Sequence, residues 1–265
     1  GKSKKSVNVV CDGKEILLSP EWVGDEAVMM AEKLKNVPIL TGADRFQTGR
    51  YALKNYEIDT LILDDGFQHL ALRRDLDILL CDHQRPLGNN YLFPAGELRE
   101  PARETRRADM VCFTRYSGGP VKFSPKYLGL IPQIKTHLRL DSIINMENGD
   151  VCDAEVLKGQ PVIAFCGIAK PEGFRQILQD VQVQLKMFKA FPDHHEYSLN
   201  DVKELESIAS QEGVKYILVS EKDAVKLKGM KFSLPFFKVV IDLEILEGRE
   251  IFNKKITTTT IRRGS

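Results

Sequence analysis

Short unbroken apolar runs recur along the chain, and amphipathic segments separate most of them. A strand that is covered on both faces does not need to alternate apolar and polar residues, so these runs predict buried parallel strands. The segments between them space their apolar residues as a helix does, for example over residues 27–34. Strands that alternate with helices predict an α/β fold with a parallel sheet. The main predicted strands are residues 60–63, 77–82, 109–114, 161–166, 183–188, 216–219 and 236–243.

Polar residues follow the first of these runs directly. Asp64 and Asp65 come after the aliphatic residues 61–63, and Gln68 and His69 lie a few positions further on. Ligands of open α/β sheets bind at the carboxyl ends of strands, and carboxylates at such a place commonly hold Mg²⁺ in proteins that transfer phosphate. The alternative is an ordinary strand end whose two acids are solvated.

Two helix beginnings carry further candidates. Asp25 and Glu26 precede an amphipathic segment, and Asp44 and Arg45 open another that extends to about residue 55. Acids in a first turn complement the helix dipole and cap free N–H groups, which is the simpler interpretation of Asp25 and Glu26. An arginine in such a position is more often a surface ion-pair partner than a ligand group.

A second cluster of polar residues is Asp193, His194 and His195, in a predicted loop after a strand. Packing alone does not explain two adjacent histidines beside an aspartate. Neighbouring side chains on an extended chain point to opposite faces, so at most one histidine is expected to serve a given site. An imidazole beside a carboxylate is a stronger base. The alternatives are a loop histidine that caps carbonyl groups, and a metal site, for which adjacent histidines lack the usual i, i+4 spacing.

A glycine-rich stretch at residues 116–120 is the best candidate for a domain boundary. It predicts one domain over residues 1–118 and a second α/β domain over residues 119–265. Residues 137–146 and 150–156 flank an Asn-Gly pair and predict a β-ribbon that joins the two.

The composition is that of an ordinary globular protein, with 43% apolar and 28% charged residues. The net charge of +1 gives no indication of nucleic-acid binding. The 5 cysteines are widely spaced and odd in number, which predicts buried thiols in a reducing compartment. We find neither a signal peptide nor an apolar run long enough to span a bilayer, which leaves association with a membrane surface open.

The chain begins with Gly1-Lys2-Ser3, which resembles the end of a phosphate-binding P-loop. A P-loop needs a preceding strand, an earlier glycine and a helix that begins at the lysine, whereas residues 6–10 predict a strand. We therefore interpret residues 1–5 as a basic loop. The full pattern G-x-x-x-x-G-K-[S/T] occurs nowhere in the sequence.

Taken together and in order, the motifs resemble those of the tetraacyldisaccharide 4'-kinase family of the lipid A pathway. The resemblance covers nearly the whole chain, and the Asp-Asp-Gly-Phe-Gln-His and Asp-His-His-x-Tyr motifs are specific as a pair. The motifs that carry it are Gly24-Asp25-Glu26, Asp44-Arg45, the run from Asp64 to His69, Arg73-Asp75-Leu76-Asp77, Pro94-Ala95-Gly96, Leu98-Arg99-Glu100-Pro101, Arg107-Ala108-Asp109, Gly167-Ile168-Ala169, the run from Asp193 to Tyr197, and the run from Glu221 to Leu227.

This resemblance implies a P-loop-NTPase-like parallel sheet core without its P-loop segment, joined to a smaller α/β C-terminal domain. It implies transfer of phosphate from ATP, with Mg²⁺, to the 4'-hydroxyl of a lipid disaccharide 1-phosphate. The enzyme is expected to be a monomer at the cytoplasmic face of the bacterial inner membrane, without a nucleic-acid partner.

The resemblance also implies roles for individual residues. Asp25 is expected to pair with His194, or with His195 as the second choice, so that the imidazole deprotonates the hydroxyl. Asp64 and Asp65, with Glu26, are the expected metal ligands. The groups expected to contact the nucleotide phosphates or to order their site are Arg45, Asp64, Asp65, Gln68, His69, Arg99 and Glu100.

The family's P-loop and an apolar N-terminal helix precede the region where this chain begins. We therefore expect an N-terminally truncated kinase that binds ATP weakly, and micromolar binding of Mg·ATP in isothermal titration would contradict this. Two other functions stay open. One is a metal-dependent phosphoesterase with Asp-His-His ligands, and the other is a lipid-binding remnant without catalysis.

Overall fold

The computed structural model describes residues 3, 5–120 and 128–261, the last by its backbone alone. Gly1, Lys2 and Lys4 of the predicted basic loop lie outside the described residues. The strands and α-helices, in chain order, are β1 (Asn8–Asp12), α1 (Pro20–Val23), α2 (Asp25–Lys33), β2 (Pro38–Thr41), α3 (Arg45–Asn55), β3 (Ile78–Asp82), β4 (Met110–Thr114), β5 (Gln133–Asn145), β6 (Val151–Asp153), β7 (Pro161–Cys166), α4 (Pro171–Asp180), β8 (Gln184–Ala190), α5 (Leu199–Gln211), β9 (Tyr216–Ser220), α6 (Glu221–Ala224), β10 (Phe236–Glu247) and α7 (Arg249–Ile261). Short 3₁₀ helices lie at Ala102–Arg107, Leu128–Leu130 and Ala154–Leu157.

The chain forms two compact units, and each is discontinuous in sequence. Unit 1 comprises Gly1–Ile58 and Arg139–Asp242, and unit 2 comprises Asp59–Leu138 and Leu243–Ser265. The long strands β5 and β10 contribute to both units, because the divisions fall within them. The units therefore divide the chain differently from the single linear boundary at 118/119 that the glycine-rich stretch suggests.

Unit 1 contains a mostly parallel sheet with the strand order β5–β10–β9–β7–β8. β9 pairs in parallel with both β7 and β10, and β7 pairs in parallel with β8. The inner strand β7 is buried along almost its whole length, as its unbroken apolar sequence predicts. β1 and β2 form a separate antiparallel pair.

The helices of unit 1 cover this sheet with their apolar faces. Val202 and Leu205 of α5 pack in one buried cluster with Phe165, Ile217 and Phe236 of the strands. The N-terminus of α5 carries a complete capping box, in which the side chains of Ser198 and Asp201 each accept a hydrogen bond from the other residue's backbone N–H.

Unit 2 is built on β3, β4 and the first part of β5, which pair in parallel. Alternate side chains of β4 face opposite sides of the sheet. Phe113 belongs to a buried cluster on one side with Leu87, while Met110 packs on the other with Ile134. Both faces are thus covered, so the expectation of an α/β protein with a mostly parallel sheet is confirmed.

The expectation of a strand at residues 60–63 is wrong. These residues form no strand, and Ile62 has 93% of its surface exposed while Leu61 has 47%. An aliphatic run becomes a strand only when a neighbour supplies hydrogen bonds and a packing surface, and local sequence does not encode that neighbour. The turn at Asp64 and Asp65 therefore follows an extended segment rather than a strand of the sheet.

Candidate active site

The first group of candidate residues lies in unit 1, at the beginning of α2. Gly24 precedes this helix with a positive φ of 93°, a conformation that glycine adopts without strain. Asp25 and Glu26 occupy the first turn, as the sequence predicts. The side chain of Asp25 is mostly buried, with 13% of its surface exposed, whereas that of Glu26 is 65% exposed. A carboxylate that only caps a helix does not need to be buried. The burial of Asp25 therefore indicates further contacts.

The loop after β8 brings His194 to this helix. The backbone N–H of His194 donates to the carbonyl of Gly167 at 3.2 Å, which ties the loop to the end of β7. His194 has a φ of 59°, in the left-handed region that non-glycine residues adopt at a cost. Its Nδ1 lies 3.3 Å from Oδ2 of Asp25. Two segments that are distant in sequence thus form the predicted carboxylate–imidazole pair.

His195 has different partners. Its Nε2 lies 3.3 Å from Oδ2 of Asp201 on α5, and its ring stacks on Phe191 with 4.5 Å between the ring centres. The adjacent histidines therefore bind two different carboxylates. His194 is solvent-facing, with 65% of its side chain exposed, whereas His195 is 25% exposed. The geometry favours His194 for chemistry and gives His195 a supporting position in the loop.

Two lysines complete the cluster, and reasoning from the sequence gave them no role. Lys226 places Nζ 3.3 Å from Oδ2 of Asp25 and also donates to Oδ1 of Asp223 at 3.2 Å. Lys222 lies 3.5 Å from a carboxylate oxygen of Glu26 and 3.6 Å from one of Asp193. The sequence does contain a sign of this cluster, because Lys222 and Lys226 flank Asp223 directly after the buried strand β9.

The second group of candidates lies in unit 2, in the turn after residue 63. Asp65 has a left-handed φ of 48°, and its Oδ2 accepts a hydrogen bond from Arg99 at 2.7 Å. This hydrogen bond raises the pKa of Arg99 above its ordinary value. Both side chains are 66% exposed, so the pair contributes little to stability and is accessible to a ligand.

Arginines inside unit 2 hold this turn in place. Arg74 donates to the backbone carbonyl of His69 at 2.5 Å and to that of Phe67 at 3.4 Å. Arg107 also donates to the carbonyl of Phe67, and its guanidinium lies 4.6 Å from the centre of the Phe67 ring. The turn that carries Asp64 is thereby held by Arg74, which follows it closely in sequence, and by Arg107, which lies 40 residues from Phe67.

Glu100 links the turn to the loop after residue 96. It accepts two hydrogen bonds from Arg107, at 2.8 and 3.0 Å, and one from the amide of Gln68 at 3.1 Å. A small pocket in unit 2 is lined by residues that include Phe67, Gln68, Arg99 and Glu100. The structure thus brings the predicted residues Asp65, Gln68, Arg99 and Glu100 together.

Arg45 begins α3 in unit 1, after the N-cap residue Asp44. Its guanidinium donates to the backbone carbonyl of Gly42. The phosphate contact expected for Arg45 and the metal role expected for Glu26 stay predictions, as does the nucleotide contact expected for His69.

The donor set fits Mg²⁺ bound together with a nucleotide. In the part of the chain that the structure describes, no three His, Cys, Asp or Glu side chains converge on one point. Mg²⁺ usually takes only one or two protein carboxylates and completes its shell with phosphates and water. Asp64 and Asp65 are exposed and adjacent, so they can supply those carboxylates.

Parallel α/β units with paired carboxylates, arginines and a carboxylate–imidazole pair are typical of enzymes that transfer phosphoryl groups. The chain belongs to the tetraacyldisaccharide-1-P 4'-kinase family, whose model, LpxK, matches residues 1–260.

Curated relatives of the chain carry the name of the same enzyme. The tetraacyldisaccharide 4'-kinase of Syntrophus aciditrophicus is 39% identical over 266 residues, covering 92% of this chain and 69% of the relative. The enzyme of the same name from Geobacter sulfurreducens is 37% identical, covering 93% of this chain and 69% of the relative. A crystal structure of LpxK from Aquifex aeolicus in complex with ATP superimposes with a TM-score of 0.77 at 32% identity, over 98% of this chain and 76% of that one.

Proposed function

We propose that this protein transfers the γ-phosphoryl group of ATP to the 4'-hydroxyl of tetraacyldisaccharide 1-phosphate. The observation that carries the proposal is the contact of 3.3 Å between Asp25 and His194. Membership of the kinase family supplies the reaction class, and the ATP complex of the structural relative supplies the donor.

His194 accepts the proton of the hydroxyl in this proposal. Asp25 contacts Nδ1 of the imidazole, which leaves Nε2 for the substrate. The carboxylate of Asp193 lies 3.7 Å from Nε2, beyond ordinary hydrogen-bond distance. A ring held by a carboxylate on one nitrogen presents the other as a base. The proton passes from the hydroxyl to Nε2, the oxygen forms a bond to the γ-phosphorus, and the bond from that phosphorus to the bridging oxygen of ADP breaks.

The groups of unit 2 bind the nucleotide in the same proposal. Asp64 and Asp65 would hold Mg²⁺, and the metal would neutralise negative charge on the nucleotide phosphates. Arg99 donates to phosphate oxygens, and Glu100 keeps Gln68 and Arg107 in position. The guanidinium of Arg99 lies 2.7 Å from Oδ2 of Asp65, beside one of the two carboxylates that would hold the metal.

We further propose that the protein works as a monomer bound peripherally at the cytoplasmic face of the inner membrane, where its lipid substrate lies. Within the described residues, no helix has both the length and the apolar character needed to cross a bilayer. Arg103 exposes 63% of its side chain and suits anionic headgroups or lipid phosphates.

The test incubates the complete protein that carries this sequence with Mg·ATP and the lipid disaccharide 1-phosphate in mixed micelles. We expect ATP-dependent formation of the bisphosphorylated lipid. His194→Ala should lower kcat by about 10²- to 10⁴-fold, the usual contribution of a positioned base. His195→Ala is the matched control and should retain most of kcat. Absence of transfer by the unmodified protein overturns the proposal, whereas loss of kcat in the His195 variant alone overturns the assignment of the base.

A further inference from the structure

The Asp25 carboxylate has a second partner besides His194, and that partner is enclosed. Nζ of Lys226 and Nδ1 of His194 each lie 3.3 Å from the same oxygen, Oδ2 of Asp25. Only 10% of the Lys226 side chain is exposed. An ion pair that is this buried is screened far less than a surface pair, so its geometry is maintained.

Packing explains why Lys226 lies there. The preceding residue Val225 is buried in a cluster with Ala27 and Val28 of α2. This apolar contact fixes the segment after α6 against the first turns of α2, where Asp25 is located. A lysine stem held at its base in this way directs its ammonium group with little freedom.

A buried carboxylate holds the other side of the ammonium group. Asp223 is fully buried, and Lys226 donates to its Oδ1 at 3.2 Å. Asp223 in turn accepts hydrogen bonds from the backbone N–H of Gly167 at 2.8 Å and from the hydroxyl of Ser220 at 2.6 Å. Gly167 also accepts the hydrogen bond from the backbone of His194. The same backbone position therefore anchors both the loop of the imidazole and the carboxylate that holds Lys226.

We infer that Lys226, braced by Asp223, is a positioning residue that fixes the Asp25 carboxylate for its contact with His194. The inference rests on the proposed kinase function and adds a residue to its machinery. Lys226 acts through Asp25 and does not touch the reacting groups. Its ammonium group compensates the two neighbouring carboxylates and keeps Asp25 from turning away from the imidazole.

The test compares Lys226→Met with Lys226→Arg, and uses Lys228→Met as the matched control. Lys228 lies two residues further on and pairs with Glu32 at 3.2 Å, with 74% of its side chain exposed. We expect Lys226→Met to lower kcat by about 10- to 100-fold, as loss of a group that orients a catalytic ligand does, with KM changed by less than about threefold. Lys226→Arg should restore at least part of kcat, and Lys228→Met should match the unmodified protein.

A double-mutant cycle separates positioning from stability. If Lys226 acts through Asp25, adding Lys226→Met to Asp25→Asn should lower kcat by less than about twofold further. A purely structural role predicts that the two effects multiply, and that result overturns the inference. If Lys226→Met does not fold, Lys226→Gln with and without Asp25→Asn gives the same comparison, because glutamine also removes the charge.

A spectroscopic readout keeps this inference distinct from the proposed function. The ring signals of His194, assigned among the 5 histidines by NMR, should shift in Lys226→Met and not in Lys228→Met at the same pH. Absence of that shift overturns the inference whatever the activity is. If the signals shift clearly but the protein transfers no phosphate, the positioning role of Lys226 is supported and the proposed kinase function is refuted.

Discussion

Asp223 offers a direct test of how unit 1 is held together at the candidate site. Its carboxylate is completely buried and accepts hydrogen bonds from Gly167, Ser220 and Lys226 at 2.8, 2.6 and 3.2 Å. Replacing it by alanine leaves three donors without an acceptor in a place that water does not reach. The lysine among them would retain its charge with only Asp25 as a partner.

The expected loss of stability can be estimated from these contacts. Hydrogen bonds to a charged group contribute about 1.5–3 kcal/mol each, but removing the carboxylate also recovers part of its own cost of burial. Removing one member of a buried ion pair costs about 3–5 kcal/mol on balance. We therefore expect Asp223→Ala to lower the free energy of unfolding by about 3–5 kcal/mol. Asp223→Asn keeps an acceptor for two of the donors and should lower it by about 2–3 kcal/mol.

Urea unfolding gives the measurement. The single tryptophan, Trp22, belongs to unit 1, as does Asp223, so its fluorescence reports on the unit that the substitution changes. Asp141→Ala is the matched control, because Asp141 pairs with Arg139 at 3.1 Å on the surface, with side-chain exposures of 42% and 50%. An exposed pair of this kind contributes at most about 1 kcal/mol. The control should therefore unfold close to the unmodified protein.

A loss of less than about 1 kcal/mol in Asp223→Ala, with an unchanged dependence on urea, would contradict this expectation, since such a change is typical of exposed sites. That result would mean that water or another group replaces the carboxylate in the folded protein. An equal loss of stability in Asp141→Ala would also contradict the expectation, because burial of the carboxylate would then not account for the effect.

Three further outcomes are expected. Partial burial opposes the ionisation of Asp201, but hydrogen bonds from Ser198 and His195 outweigh it and lower the pKa of this carboxyl below 3.8. The ionised Asp201 therefore stabilises the folded protein above about pH 4, and this stabilisation is lost as the pH falls through the lowered pKa. In urea unfolding, Asp201→Asn should lower the free energy of unfolding by about 1 kcal/mol at pH 7 and by less at pH 3. The same loss at both pH values would contradict this. His194→Gly should be more stable than His194→Ala by about 1 kcal/mol in the same assay, because φ is 59° there, and equal stability would exclude a strained backbone. Gly167→Ala would bring a methyl group to 3.0 Å from the backbone oxygen of Pro192, so we expect a loss of about 1–3 kcal/mol by thermal unfolding, and an unchanged melting temperature would show that the loop yields freely.

Elements that local sequence determines were predictable. The helix after Asp44 begins and ends where its cap and apolar spacing predict. The buried strand β7 was predicted over the same residues that form it. In each case caps, spacing or an unbroken apolar run lie within the element itself, so no distant partner is needed to specify it.

Elements that depend on distant partners were not predictable. Residues 60–63 have the composition of a strand but form none. Conversely, α7 includes the run Thr257 to Thr260, whose β-branched residues are poor helix formers, and Phe252 of the same helix packs against the cluster of Met110. Tertiary packing outweighs local preference in both places.

The candidate site shows the same division. The pairing of Asp25 with His194 was expected from the family resemblance, and the structure shows the contact. Lys226 was not singled out, because its importance comes from burial and from a distance of 3.3 Å to Asp25, neither of which a sequence displays. The left-handed backbone at His194 was equally hidden, since histidine carries no local signal for it as strong as that of glycine.

The two histidines show how one short loop combines chemistry with support. The backbone N–H of His195 donates to the carbonyl of Pro192, and its ring is stacked on Phe191 and bound to Asp201, so it fixes the loop from inside unit 1. His194 then extends from this fixed turn towards solvent while Asp25 holds one of its nitrogens. A variant of His195 that loses activity should therefore lose stability in proportion, whereas a variant of His194 should lose activity while its stability stays the same or rises.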